Sequence, residues 1–220
     1  MPAFSPALFD YLADLAENND RTWFQSHRDR YERLVKADAL SFIAALAPRM
    51  AEITTSIRVD PKALFRIHRD TRFSHDKSPY KTHVGLHFRH TDADHVHTPG
   101  FYLHLEPSGC FFACGIWQPD PPTLLRLRQR MVDDADGWAA VRASVPPDLT
   151  WESEALQRPP RGFPKDHVHD ATLRLKSLVV SRSVPRDDVV ADDLPERFTA
   201  WSRAGAPLLA DLCRTLDLAW

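Results

Sequence analysis

The stretch Gly100-Phe101-Tyr102-Leu103-His104-Leu105-Glu106 is followed by Pro107-Ser108-Gly109 and then by Cys110-Phe111-Phe112-Ala113-Cys114-Gly115-Ile116-Trp117. Its reading decides the fold class. Apolar and polar residues alternate with the two-residue period of a strand, which puts Tyr102, His104 and Glu106 on one face. The short connection contains Gly, so the two runs read as a β-hairpin. Upstream, Thr82–Arg89 and Ala63–Arg69 have the same period, and the polar loop His90–Pro99 separates the first of these from the hairpin. The middle of the chain is therefore expected to be an antiparallel sheet of about four to five strands, an ordinary size for a sheet.

The period changes to 3.6 on both sides of this block. Ser5-Pro6 opens a helix with the stripe Leu8, Phe9, Leu12, Leu15 and Ala16, and Asn18-Asn19 ends it. Asp20 caps a second helix carrying Trp23, Phe24, His27, Tyr31 and Leu34. A third, from about Asp38 to Thr54, aligns Phe42, Ile43, Leu46, Met50 and Ile53. Downstream, Pro122–Asp133 and a shorter segment with Trp138 and Val141 read as helices. Pro146–Asp170 reads as irregular, and Leu173–Val180 fits strand or helix equally. Two C-terminal helices, Leu194–Arg203 and Ala206–Leu218, are expected to break near Gly205 and Pro207. The expected fold is α+β: a single domain, residues 1–220, with the N-terminal and C-terminal helices packed mainly on one face of the sheet.

Composition narrows the function classes. The chain is 43% hydrophobic and 26% charged, within the globular range. Its 28 basic and 30 acidic residues nearly balance, which argues against a surface that binds nucleic acid or anionic membrane as a whole. The N-terminus lacks a basic region followed by an apolar run, and no apolar stretch approaches the length of a membrane span. A cytoplasmic location and no membrane partner are expected. Three cysteines make no disulfide framework. Cys110 and Cys114 share a strand face with no second Cys/His pair at zinc spacing, and are read as core thiols. There is no Gly-x-Ser-x-Gly elbow, Walker loop or Gly-x-Gly-x-x-Gly, and only seven glycines in all. The Arg126, Arg128, Arg130 run, at spacing two on a helix, wraps around it as a solvated face.

Polar chemistry is densest from Phe65 to Thr82, where Arg66, Arg69, Arg72, Lys77 and Lys81 stand against Asp70 and Asp76. Guanidinium groups fit phosphate and carboxylate bidentately and lysine adds a point charge, so a small anionic ligand is the expected partner. In a strand here, Phe65 and Ile67 would face the core while Arg66, His68 and Asp70 face outward. His104 and Glu106 are expected to complete the same cleft. Asp70 and Asp76 would orient the cations, Asp70 or Glu106 would accept a proton, and His68 or Tyr80 would donate one. Two other readings stand beside this. One is a non-enzymatic interaction domain whose Arg–Asp lattice is structural. The other is a metal-dependent enzyme using His83, His87, His104 and Glu106, with further ligands from the His90–His97 loop. The residues name no cofactor.

The run Phe-Arg-Ile-His-Arg-Asp-Thr-Arg-Phe-Ser-His-Asp-Lys-Ser-Pro-Tyr-Lys-Thr-His, residues 65–83, resembles the hallmark stretch of the DUF2461 family. Asn18-Asn19-Asp20-Arg21-Thr22-Trp23-Phe24 with Tyr31 is similar to that family's N-terminal signature. Gly100–Pro107 with Gly115-Ile116-Trp117 is similar to its hairpin, and Arg161–His167 to its later loop. Val168 stands where the family pattern has Pro, which bears on that loop alone. The resemblance spans nearly the whole chain and implies a one-domain protein. It puts Arg66, Arg69, Asp70, Arg72, Asp76, Lys77, Tyr80 and Lys81 on signature positions, with no activity, cofactor or catalytic residue to carry over.

Overall fold

The computed structural model describes residues 3–92 and 97–220. One antiparallel sheet is built from β1 (Val84–Arg89), β2 (Gly100–Leu105), β3 (Cys110–Ile116), β4 (Thr150–Trp151) and β5 (Leu178–Val184), in the order β1-β2-β3-β5-β4. The hairpin register pairs His104 with Phe111 and Tyr102 with Ala113, and β1 pairs Leu86 with Leu103. Alternation then divides the sheet cleanly. Val84, Leu86, Phe88, Phe101, Leu103, Phe112, Cys114 and Val180 point to one side and are buried. Gly85, His87, Tyr102, His104, Phe111 and Ala113 point to the other.

Helices cover the first side. The principal ones are α1 (Ala7–Glu17), α4 (Asp38–Ala51) and α9 (Leu194–Thr215). Phe42 of α4 and Phe198 of α9 meet Phe88 and Phe112, with ring centroids of Phe198 5.7, 5.2 and 5.3 Å from Phe42, Phe88 and Phe112. These edge-on aromatic contacts join both ends of the chain to the sheet. Between α1 and α4 lie α2 (Arg21–Ser26), α3 (Arg28–Tyr31) and a π-helical stretch, Glu32–Ala37. Asp20 caps α2 as its residue type predicts, accepting the Thr22 and Trp23 amides. Then α5 (Pro121–Asp133) and α6 (Ala135–Ser144) pack against each other and against α9. Among the described residues no helix is long and apolar enough to cross a membrane.

Four expectations need correction. Ala63–Arg69 is not a strand: a 3₁₀ turn, Pro61–Ala63, capped by Asp60, leads into isolated bridges Leu64↔Leu86 and His68↔Tyr80. Pro79 has no N–H to return to the Arg69 carbonyl, so the ladder does not extend. Phe65 consequently packs on the open side of the sheet, against Tyr102 and His87, and not in the helical core. The ambiguous stretch near Leu173 resolves into one helical turn, α7 (Asp170–Leu173), and β5. The region read as irregular contributes the short edge strand β4.

The expected break at Gly205 and Pro207 is absent, and α9 runs through both residues. The missing amide of Pro207 removes one helical hydrogen bond, but Leu194, Phe198, Leu208, Leu209 and Leu212 along the same helix are all buried. Gly205 lies where α9 crosses β3: a Cβ there would collide with Cys114 Sγ. That glycine sets the helix–sheet distance; it does not end the helix. After α7 and β5, the remaining turn α8 (Arg186–Val189) leads into α9.

Candidate functional site: a cationic pocket beside an aromatic sheet face

The segment 64–83 lies along β1 and is tied to the α1–α2 turn by one side chain. Asn19 Nδ2 donates to the Tyr80 carbonyl at 2.9 Å, and the Tyr80 amide donates to Asn19 Oδ1 at 3.0 Å. This amide replaces the neighbouring strand that the outward-facing Tyr80 backbone would otherwise pair with. On the inner side, Arg69 N donates to the Pro79 carbonyl at 2.9 Å and Lys81 N to the Ile67 carbonyl at 2.8 Å. The Tyr80 ring is 4% exposed and stacks on Phe24 at 4.1 Å. Tyr80 therefore anchors the segment.

Beyond this anchor the chain forms a compact charged loop. Asp70 accepts Arg72 Nε at 3.0 Å and Nη2 at 2.7 Å, and Asp76 accepts Ser78 N at 2.9 Å and Ser78 Oγ at 2.6 Å while pairing with Arg69. Hydrogen bonds from Arg72 hold the Asp70 carboxyl down at about 2. Those from Ser78, then Arg69, hold Asp76 at about 2. A carboxylate so acidic and so engaged is a poor proton acceptor near neutral pH, which weighs against Asp70 as a base. Lys77 Nζ donates to the Thr71 carbonyl at 2.9 Å. Lys81 Nζ donates to the Arg66 carbonyl at 2.9 Å and lies 5.0 Å from the Phe65 ring centre. Burial, then Arg66, lowers the Lys81 pKa. Phe73, at the loop tip, is 93% exposed.

Between loop and α2 opens a polar pocket of about 670 Å³, whose wall includes Arg21, His68, Arg69, Thr71, Lys77 and Tyr80. Asp20 is the one acid on this wall among the described residues, and its Oδ1 is taken by the Thr22 and Trp23 amides at 2.8 and 2.9 Å. Arg21 and Lys77 have no carboxylate within ion-pair distance among the described residues. Of the expected ligand-binding residues, Arg69 and Lys77 line the pocket. Arg66, Arg72, Asp76 and Lys81 do not.

Nor do His104 and Glu106 line it. They belong to a separate network on the open sheet face, where Tyr102 Oη lies 3.0 Å from His104 Nδ1 and His104 Nε2 lies 3.4 Å from Glu106 Oε2. His83 stacks on His104 with ring centres 4.5 Å apart, and Phe111 covers His104's other side at 4.7 Å. Burial first, then the His104 charge, lowers His83 to about 4, and burial first lowers His87 to about 4. His87 is turned toward Phe65 and Tyr102. Among the described residues no three His, Cys, Asp or Glu side chains are grouped to hold a metal ion. Asp94 and His95, expected as further ligands, lie outside the described residues; His97 stacks on Trp117 at 5.6 Å.

The pocket joins the N-terminal signature to the 65–83 hallmark, the two stretches that suggested a family. A family model described as "Conserved hypothetical protein (DUF2461)" matches residues 7–210. The chain belongs to the DUF2461 family. No curated protein matches it. Within this DUF2461 chain, the pocket-wall residues Asn19, Asp20, Arg21, Gln25, Thr71 and Pro79 are not among the candidate site residues of the sequence. Asn19 carries a helix-stop signal there and, with Asp20 and Arg21, belongs to the N-terminal signature. The usable signal was that the dipeptide Asn19-Asp20 offers more polar groups than one N-cap needs.

Proposed function

We propose that this protein binds a small phosphate- or carboxylate-bearing anion in the pocket between α2 and the 69–80 loop. One observation carries the reading. The fold brings Arg21, from a distant part of the sequence, to the same concavity as His68, Arg69 and Lys77, while Asp20, the only acid on the wall among the described residues, is engaged in capping a helix. Guanidinium groups from two elements can grip an anion from two directions, and Lys77 adds charge without needing a fixed angle. The outer half of the loop serves a different purpose. Asp70–Arg72 and Asp76–Ser78 are local contacts that shape the turn, which is where the structural-lattice reading draws its support.

Titration calorimetry with pyrophosphate and with citrate at fixed ionic strength tests this. Arg21→Ala and Lys77→Ala should each weaken binding about tenfold while leaving the urea midpoint in place, each removing one charge-assisted contact. Arg69→Ala is a poorer probe, because it also releases Asp76 and the Ser78 carbonyl. Absence of binding to the wild type, or unchanged affinity in both variants, overturns the reading.

A further inference from the structure

The side of the sheet opposite the helices holds a second concavity, about 330 Å³, that shares no wall residue with the cationic pocket. Its volume is at the lower end of ligand pockets, about 300 Å³ and upward. Aromatic side chains make its walls: Phe65, His87, Tyr102, Phe111 and Trp117, with Ala113 and Val179 on the floor. Five rings around one small space are far more than a solvated sheet face requires, and Trp117 is half exposed there.

The ring pairs on the wall are tilted or edge-on and none is stacked, the flattest being Phe65 and Tyr102 at 38°. Phe65 and His87 are 78° apart in plane, His87 and Tyr102 77°, and Tyr102 and Phe111 51°, with centres 6.0, 6.3 and 5.8 Å apart. Sandwiching a flat heteroaromatic ring needs two parallel faces, which these pairs do not provide. Aromatic side chains lining a small space beside a carboxylate suit a compact cation. The charge on the wall agrees. Glu152 N donates to the Val179 carbonyl at 2.9 Å, which places Glu152 opposite Val179 and on the cleft side of the sheet. Its exposed carboxylate makes no hydrogen bond or ion pair among the described residues, and no Lys or Arg lines the cleft. His87, whose pKa burial lowers to about 4, adds no positive charge near neutral pH.

We propose that this cleft is a binding site for a small organic cation, an alkylated ammonium group held by the ring faces of Phe65, Tyr102, Phe111 and Trp117 and by the carboxylate of Glu152. The site is independent of the anion pocket. Its ligand has the opposite charge, and apart from Phe65 its wall residues lie outside the 64–83 segment.

The test compares choline with its uncharged carbon isostere, 3,3-dimethylbutan-1-ol, by ligand-observed NMR and calorimetry on the full chain. Choline should saturate one site below about 10 mM, with the isostere at least about tenfold weaker. Glu152→Gln, at an exposed edge position, should bring choline down toward the isostere while leaving the isostere's affinity unchanged. Trp117→Ala should weaken choline by about tenfold. Urea midpoints equal to wild type show that both variants are folded, and pyrophosphate binding should be the same in all three proteins. Equal affinity for choline and isostere overturns the proposal, as does no saturable choline binding or choline binding indifferent to both substitutions.

Discussion

Replacing Asn19 by Ala should loosen the whole 64–83 segment, because one amide holds both backbone groups of Tyr80. The variant loses two hydrogen bonds of 2.9 and 3.0 Å, each with a net value of about 0.5–1.5 kcal/mol. It also strands the amide and carbonyl of a residue whose side chain is 4% exposed, which would raise the cost toward about 3–4 kcal/mol if no water reached them. Tyr80 borders the polar pocket, so water can replace part of what is lost. The expected loss is therefore about 2 kcal/mol, or about 4–8 °C in Tm for a chain of this size. Urea denaturation followed by circular dichroism measures it, with an unchanged m value showing that the unfolded reference has not moved. Asn18→Ala is the matched control, since Asn18 Nδ2 donates only to Asp14 O in its own helix, and it should cost under about 0.5 kcal/mol. Asn19→Asp retains the acceptor for the Tyr80 amide but turns a carboxylate toward the Tyr80 carbonyl, so it should be at least as damaging as Ala. An Asn19→Ala protein within about 0.5 kcal/mol of wild type, or an equal loss in Asn18→Ala, would refute the idea that this amide anchors the segment.

The other expectations concern the ligand sites, the histidines and the α9 crossing. Anion binding should fall about tenfold in Arg21→Ala and in Lys77→Ala without loss of stability, and choline binding should depend on Glu152 and Trp117. His83 and His87 have folded values of about 4, below the ordinary 6.5, so the unfolded chain takes up protons first as the pH falls. Their contribution is thus full above about pH 6.5 and is lost between about 6.5 and 4, with His87 alone contributing about 2 kcal/mol after allowance for its partial exposure. Urea midpoints from pH 7 to 4 should show this slope and His87→Gln should flatten it; an unchanged slope in that variant would count against it. Asp70 and Asp76 act in a lower window, their support present above about 3.8 and lost as the pH falls toward about 2. Gly205→Ala should cost about 1–2 kcal/mol by pressing a methyl group on Cys114, partly offset by better helix propensity. In a double-mutant cycle with Cys114→Ala the two losses should fail to add by about 1 kcal/mol, and strict additivity would exclude that contact as the cause.

How much of this fold was legible depends on whether the deciding contacts are local. The β2–β3 hairpin was readable because alternation and its glycine-containing turn are next to each other in sequence, and the register follows from them. The residues around Phe65 have the same alternation yet form no strand. What stops them is Pro79, ten residues or more further along the chain, which has no N–H for the ladder. In α9 the local signs at Gly205 and Pro207 were read as a break. Burial of one apolar stripe against β3 and α4 outweighs the single missing amide.

The site divides along the same line. Composition pointed to the 65–82 segment because its charge is concentrated in sequence, and Arg69 and Lys77 do face a pocket. Charge density could not distinguish cations that shape the loop from cations that face outward. Arg72 stands beside Asp70 in sequence and is spent on it, whereas Lys77 meets only a carbonyl and Arg21 comes from another helix. Nor could it separate His104 and Glu106 from the cations. Alternation along β2 puts them on the open sheet face, where Phe65 also packs, with Lys81 against its ring. Lys81 covers the ring on one side, and Tyr102 and His87 meet it at the cleft. One short segment thus borders both a cationic pocket and a cleft whose one charged wall residue, among the described residues, is Glu152. On the two readings proposed above, walls of opposite charge match two ligand groups of opposite charge, each recognised on its own wall.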